Sequence, residues 1–103
     1  MSAYDPKKRR IRVSDDTADL IKGLHPEIKR RVKSALKMIL LDPDIGKSLK
    51  DELKGLKSYK VGRFRIIYRL SSRGTIDIVT IGPRRIIYEL TFRIVRKEEK
   101  ETD

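Results

Sequence analysis

The sequence contains no cysteine and no tryptophan, and it has a single histidine. Without cysteine there are no disulfides, no thiolate zinc ligands and no sulfur nucleophile. One imidazole, His25, cannot build a His-rich metal site or a histidine pair for acid–base work, and its place before Pro26 marks it as a structural residue at a helix entrance. Long apolar runs are missing too. None approaches the roughly 20 residues of a membrane-spanning helix, and the opening MSAYDPKKRR lacks the apolar segment of a secretion signal. A cytoplasmic protein without membrane association is expected. Carboxylates are scarce as well: 15 Asp and Glu stand against 26 Lys and Arg, a formal net charge of +11. Self-repulsion of that size costs stability and favours polyanion binding, with nucleic acid the leading partner. A membrane surface suits the pattern less, because the basic residues run through strand-like segments rather than along an amphipathic helix.

What is present fits one domain spanning residues 1–103, with an ordered core over about 9–95 and flexible charged ends. Hydrophobic residues make up 38% and charged residues 40%, so the core must be small and the surface ionic. The stretch from Leu53 to Tyr88 dominates the chain. Its apolar residues, among them Val61, Phe64, Ile66, Ile67, Tyr68, Ile76, Ile78 and Ile81, are largely β-branched or aromatic and come in short runs broken by glycine, the mark of strands. Its charges are nearly all of one sign: Lys54, Lys57, Lys60, Arg63, Arg65, Arg69, Arg73, Arg84 and Arg85 face the lone carboxylate Asp77.

In chain order, residues 1–8 are polar and expected to be disordered, and Arg9–Val13 alternates as an edge strand. Ser14 or Asp15 can cap a helix, with Asp15 and Asp16 at the positive end of its dipole; it runs to about Lys22, where Gly23 ends it. Pro26 opens a second helix. Ile28, Val32, Ala35, Leu36, Ile39 and Leu40 recur at spacings of three and four as one apolar stripe, and Asp42-Pro43 stops it. From Asp44 to Lys57 a helical turn or ordered loop is anchored by Leu49, Leu53 and Leu56. Strands follow at Lys57–Val61, Phe64–Ser71 and Thr75–Ile81, then a short helix over about Arg85–Arg96 and a charged tail at Lys97–Asp103. The fold class is α+β: an antiparallel β-sheet with an N-terminal helical hairpin packed on one face, in the order β-α-α-β-β-β plus a short C-terminal helix. The other face is expected to be open and basic, the place for a ligand.

At SYKVGRFRIIYRL and IDIVTIGPRRIIYE the sequence resembles the RelE/ParE superfamily of toxins from bacterial and archaeal toxin–antitoxin pairs. The most telling features are Gly62–Arg65 (Gly-x-aromatic-Arg) and Gly82-Pro83-Arg84 with Tyr88 four residues after the arginine. The RelE branch, which the set favours, consists of ribosome-dependent endoribonucleases acting on mRNA. The resemblance implies a metal-free, cofactor-free transesterification in which the substrate's 2′-hydroxyl attacks phosphorus, leaving a cyclic phosphate and a free 5′-hydroxyl. That reaction needs a base, cations around the phosphorane and a proton donor.

Carried over by position, Lys60 matches the second lysine of the family's Lys-x-Lys pair and serves as base or charge stabiliser; crowded cations favour an uncharged amine. Arg65 would hold the scissile phosphate through two N–H groups. Arg84 would stabilise the transition state or protonate the leaving group, and Tyr88 would stack on a base or help move the proton. Lys57, Arg63, Arg69 and Arg85 would add RNA contacts, Arg63 and Arg69 sharing the strand parity of Arg65. The plainer alternatives are a solvated lysine at 60 and an amphipathic tyrosine at the core edge at 88. The first lysine of the pair is replaced by Ser58, and the adjacent Lys57 belongs to the opposite strand face.

Partners implied are the ribosome with its mRNA and an acidic, partly disordered antitoxin that folds on binding; no small-molecule substrate is expected. Two other classes compete. A ParE-like inhibitor of DNA gyrase shares the fold but generally lacks the Arg and Tyr set. A non-catalytic RNA-binding module would show only salt-dependent binding.

Overall fold

A computed structural model describes residues 9–102; the polar segment 1–8 lies outside the described residues. Strand β1 (Arg10–Val13) leads into helices α1 (Asp15–Lys22) and α2 (Pro26–Leu41). A two-residue strand, β2 (Lys47–Ser48), and a 3-10 turn at Asp51–Leu53 precede β3 (Lys57–Val61), β4 (Phe64–Leu70) and β5 (Thr75–Pro83), and α3 (Ile87–Thr102) closes the chain. The sheet order is β1-β5-β4-β3-β2.

The helix starts follow local chemistry. The Ser14 hydroxyl accepts from the Thr17 amide at 3.2 Å, satisfying one of the N–H groups a helix start leaves unpaired. At α2 the His25 ring takes that part, Nδ1 accepting from the Glu27 amide at 3.2 Å, with Pro26 in the first turn. The apolar stripe of α2 then lies against the sheet. Val32, Ala35 and Ile39 are buried among Val61, Ile66, Tyr68, Ile76, Ile78 and Ile81, and side chains such as Val32 and Ile39 each contribute about 1.5–3 kcal/mol by leaving water.

Three features differ from the sequence-based expectation. First, β1 joins β5 in parallel while the other pairings are antiparallel; the long excursion through α1 and α2 returns the chain to the sheet far from β1, so no hairpin dictates an antiparallel edge. Second, α3 runs through the expected charged tail to Thr102. Its Glu, Lys and Arg are good helix formers, and Glu98 meets Arg69 across the sheet at 3.2 Å. Third, the second sheet face is not open. Ile87 and Leu56 are buried there with Ile67, and Leu49, Leu53, Val79 and Val95 pack around them. A small second core therefore seats α3 on the face opposite the hairpin.

One irregularity links the two faces. In β5, Thr80 pairs with Ile67 and Ile78 with Tyr68, so Val79 is an extra residue in the ladder. Ile78 and Ile81, of opposite parity, both reach the hairpin-side core across this bulge, and Val79 packs beneath α3.

Candidate active site

The register places the candidate residues. In the β3–β4 ladder Lys60 lies opposite Arg65 and Ser58 opposite Ile67. Directly paired residues share a face with Cβ atoms about 4.5–5.5 Å apart, so Lys60, Ser58 and Arg65 all lie on the α3 face. Gly82 pairs with Arg65 from the other side. A Cβ built on it would lie 3.1 Å from Ile87 Cδ1, so the missing side chain lets the first turn of α3 settle on the sheet beside the arginine. That turn carries Tyr88, which is 37% exposed.

A hydroxyl bridge connects the parts. An Arg65 Nη1 donor reaches Ser58 Oγ at 3.4 Å, and Ser58 Oγ lies 3.3 Å from the Tyr88 hydroxyl. Ser58 is buried at 2% exposure. The Arg65 Nε is also buried, without a hydrogen-bond partner among the described residues. A donor left in that state costs about 1–3 kcal/mol, an uncommon condition for a guanidinium set among polar groups.

Arg84 approaches from the end of the hairpin. Its backbone N–H donates to the Arg63 carbonyl at 2.8 Å, fixing the exposed turn after β5 against the β3–β4 turn. Arg63, Arg84 and Arg85 are all exposed there. Lys60, Arg65 and Tyr88 thus lie on the α3 face, Lys60 and Arg65 through strand pairing and Tyr88 through the helix, and the Arg84 backbone sits at the adjoining turn.

Two of the expected RNA contacts stand apart. Lys57, paired with Tyr68, is on the hairpin side of β3; its ammonium bonds Ser48 Oγ at 2.9 Å and lies 3.7 Å from Asp44. Alternation of strand side chains takes it away from Lys60. Arg69 has the parity of Arg65 but is occupied by acids, with Glu98 at 3.2 Å and Asp77 at 3.7 Å. Asp77 in turn accepts from Arg12 at 2.6 and 2.9 Å and from Ser71 at 2.9 Å. The Arg12 hydrogen bond, then Ser71 and the nearby Arg69, hold this carboxyl below the usual carboxylate range against the opposing effect of burial. The cationic row is therefore neutralised at the β1 end and left uncompensated at the β3 end.

Sequence reasoning did not assign Ser58 any part in the site, because it stood where a lysine was expected. Its burial under Tyr88 depends on α3 returning over the sheet, which local spacing does not reveal. Among the described residues no group of three or more His, Cys, Asp or Glu side chains is placed to hold a metal ion, and no helix is long and apolar enough to cross a membrane.

A mixed five-stranded sheet with a helical hairpin on one face and a C-terminal helix on the other matches the fold of RelE-like toxins. Residues 10–88 match the family described as the ParE toxin of type II toxin–antitoxin systems, and the chain belongs to that family, within the RelE/ParE superfamily. No curated protein sequence matches it. Among solved structures, the toxin–antitoxin complex RelBE2 from Mycobacterium tuberculosis is 26% identical, covering 75% of this chain and 99% of that one with a TM-score of 0.66. The archaeal RelE–RelB complex from Pyrococcus horikoshii OT3 is 20% identical over 75% of this chain and 96% of that one, TM-score 0.62. A mutant of the E. coli toxin RelE in the free state is 13% identical over 88% and 97%, TM-score 0.71. The last two likenesses concern the fold.

Proposed function

We propose that this toxin is a ribosome-dependent endoribonuclease that cleaves mRNA by attack of the substrate's own 2′-hydroxyl. The observation carrying this reading is the gathering of Lys60, Arg65, Ser58 and Tyr88 on one sheet face, with the Arg65 Nε–H buried and unpartnered. A phosphate is the natural partner for the Arg65 guanidinium, which forms no ion pair among the described residues. In the proposed step the Lys60 amine takes the 2′-hydroxyl proton as the 2′-oxygen bonds to phosphorus. Arg65 and Arg84 neutralise the extra charge on the non-bridging oxygens. The bond from phosphorus to the 5′-oxygen breaks with its electron pair, and Tyr88 supplies the proton that oxygen needs. The products are a cyclic phosphate and a 5′-hydroxyl end.

A groove lined by Arg30, Arg31, Tyr59 and Lys60 lies along α2 on the hairpin side of β3 and offers a further cationic path for a nucleic-acid backbone. The net charge of +11 likewise supports an acidic antitoxin as the regulatory partner, and relatives of this fold are known as RelE–RelB and YoeB–YefM complexes.

Primer extension on translated mRNA tests the reading. Codon-phased cuts are expected with the wild type, should slow sharply with Arg84→Ala or Tyr88→Phe alone, and should vanish when the two are combined. The ParE-family match favours a second reading, inhibition of DNA gyrase. Intact mRNA alongside gyrase-trapped DNA breaks would select it.

A further inference from the structure

We infer that Ser58 is a positioning residue of the cleavage site: its hydroxyl joins the Arg65 guanidinium to the Tyr88 phenol and sets the direction in which the phenol gives its proton. The inference rests on the ribonuclease reading and adds a residue to it.

Hydrogen-bond inventory gives the direction. A guanidinium only donates, so in the 3.4 Å contact the Ser58 oxygen is the acceptor. Its one hydroxyl proton is then available for the Tyr88 oxygen at 3.3 Å, a contact whose geometry allows either atom to donate. With Ser58 donating, the phenol oxygen is an acceptor on its protein side and keeps its own O–H for an acceptor outside. Hydrogen bonds arranged in a chain strengthen one another, more so away from water, and Ser58 is almost wholly buried. Positive charge at Arg65 is thereby passed through Ser58 to the phenol, polarising its O–H toward donation. When a phosphodiester lies on Arg65, the same chain registers its arrival at the tyrosine that must protonate the departing 5′-oxygen.

The position also makes physical sense of the missing lysine. A lysine at 58 would lie buried beside Arg65 with no acid near the pair, a costly arrangement for two cations. Serine keeps a hydrogen-bonding group at that point without a second charge. It leaves Lys60, at the exposed edge of the ladder, as the amine of the site.

The test is the steady-state cleavage of ribosome-bound mRNA by wild type, Ser58→Ala, Ser58→Thr, Tyr88→Phe and the Ser58→Ala/Tyr88→Phe double variant. Expected is a roughly tenfold fall in kcat for Ser58→Ala with KM little changed, the signature of an interaction made in the transition state. Ser58→Thr should recover most of the loss. In the Tyr88→Phe background, where no phenol remains to orient, Ser58→Ala should cost nothing further. An unchanged rate for Ser58→Ala, a loss confined to KM, or the same loss in both backgrounds would overturn the inference while leaving the ribonuclease reading intact. A wild type that does not cut would overturn both. Thermal melting of each variant checks the fold; if Ser58→Ala melts early, Ser58→Cys, similar in shape with a weaker donor, carries the same comparison.

Discussion

The hydroxyls of Ser58 and Tyr88 lie 3.3 Å apart, one near the start of β3 and the other in the first turn of α3. Ile87, fully buried next to Tyr88, holds that turn down. Shortening it in Ile87→Ala should lower unfolding free energy by about 2–5 kcal/mol through lost burial and the cavity left behind. Urea unfolding reads the stability. Cleavage by the fraction that remains folded should fall as well, since the turn carries Tyr88.

Arg65 cannot be exchanged for lysine at no cost. An ammonium lacks the planar fork that reaches Ser58 and a phosphate together. Arg65→Lys is expected to lower kcat/KM by at least tenfold, about 1.4 kcal/mol of transition-state stabilisation. Initial cleavage rates measured at several mRNA concentrations check this.

Asp77 should shape the acid limb of stability. Because its carboxyl is held below the ordinary range by Arg12, Ser71 and Arg69, the folded state binds its proton less readily than the unfolded chain. The associated stability is present above the ordinary carboxylate value near 3.9 and is lost as pH falls through the lower folded value. Asp77→Asn should therefore be less stable than wild type at neutral pH by about 1–2 kcal/mol. The gap should close below about pH 4. Urea midpoints from neutral to acid pH give the comparison.

The phenol of Tyr68 ties the α2–β2 connection to the core. It donates to the Pro43 carbonyl at 2.7 Å and accepts from the Gly46 amide at 2.9 Å. Tyr68→Phe strands both groups and should cost about 1–3 kcal/mol. Gly46→Ala should also destabilise, because the added Cβ would sit 2.6 Å from the Tyr68 hydroxyl, which is packed on all sides and cannot swing away. Melting curves of the two variants check both.

Glu98 pins the outer half of α3 through Arg69. The pair is partly exposed, with side-chain accessibilities of 37% and 46%, so Glu98→Ala should change global stability by under about 1 kcal/mol. Local opening should respond more. Amide exchange in the last turns of α3 is expected to quicken, with β4 and β5 unaffected.

Much of this architecture was legible in the residues. Alternating and helical patterns report local burial, and α2 with its stripe and the ladder from Lys57 to Ile81 follow from them. Where burial depends on a distant partner the pattern is silent. Lys47–Ser48 has no apolar alternation and becomes a strand only because β3 offers an edge. The segment after Arg96 reads as a solvated tail because Glu98 finds its cation on β4 rather than on its own helix. The candidate site divides in the same way. Strand parity correctly separates Lys57 from the face of Lys60 and Arg65, yet the same parity recruits Arg69, whose acids come from two other elements. No local pattern singles out Ser58, whose hydroxyl has meaning only once α3 has come back across the sheet.

The bulge at Val79 makes the covering of this face separable from its construction. A chain shorn of that one residue would retain every rung between β4 and β5 and the whole hairpin-side interior. It would lose one apolar side chain beneath α3, whose seat is otherwise Leu56 and Ile67. A single extra residue thus lets one strand furnish apolar side chains to two separate interiors.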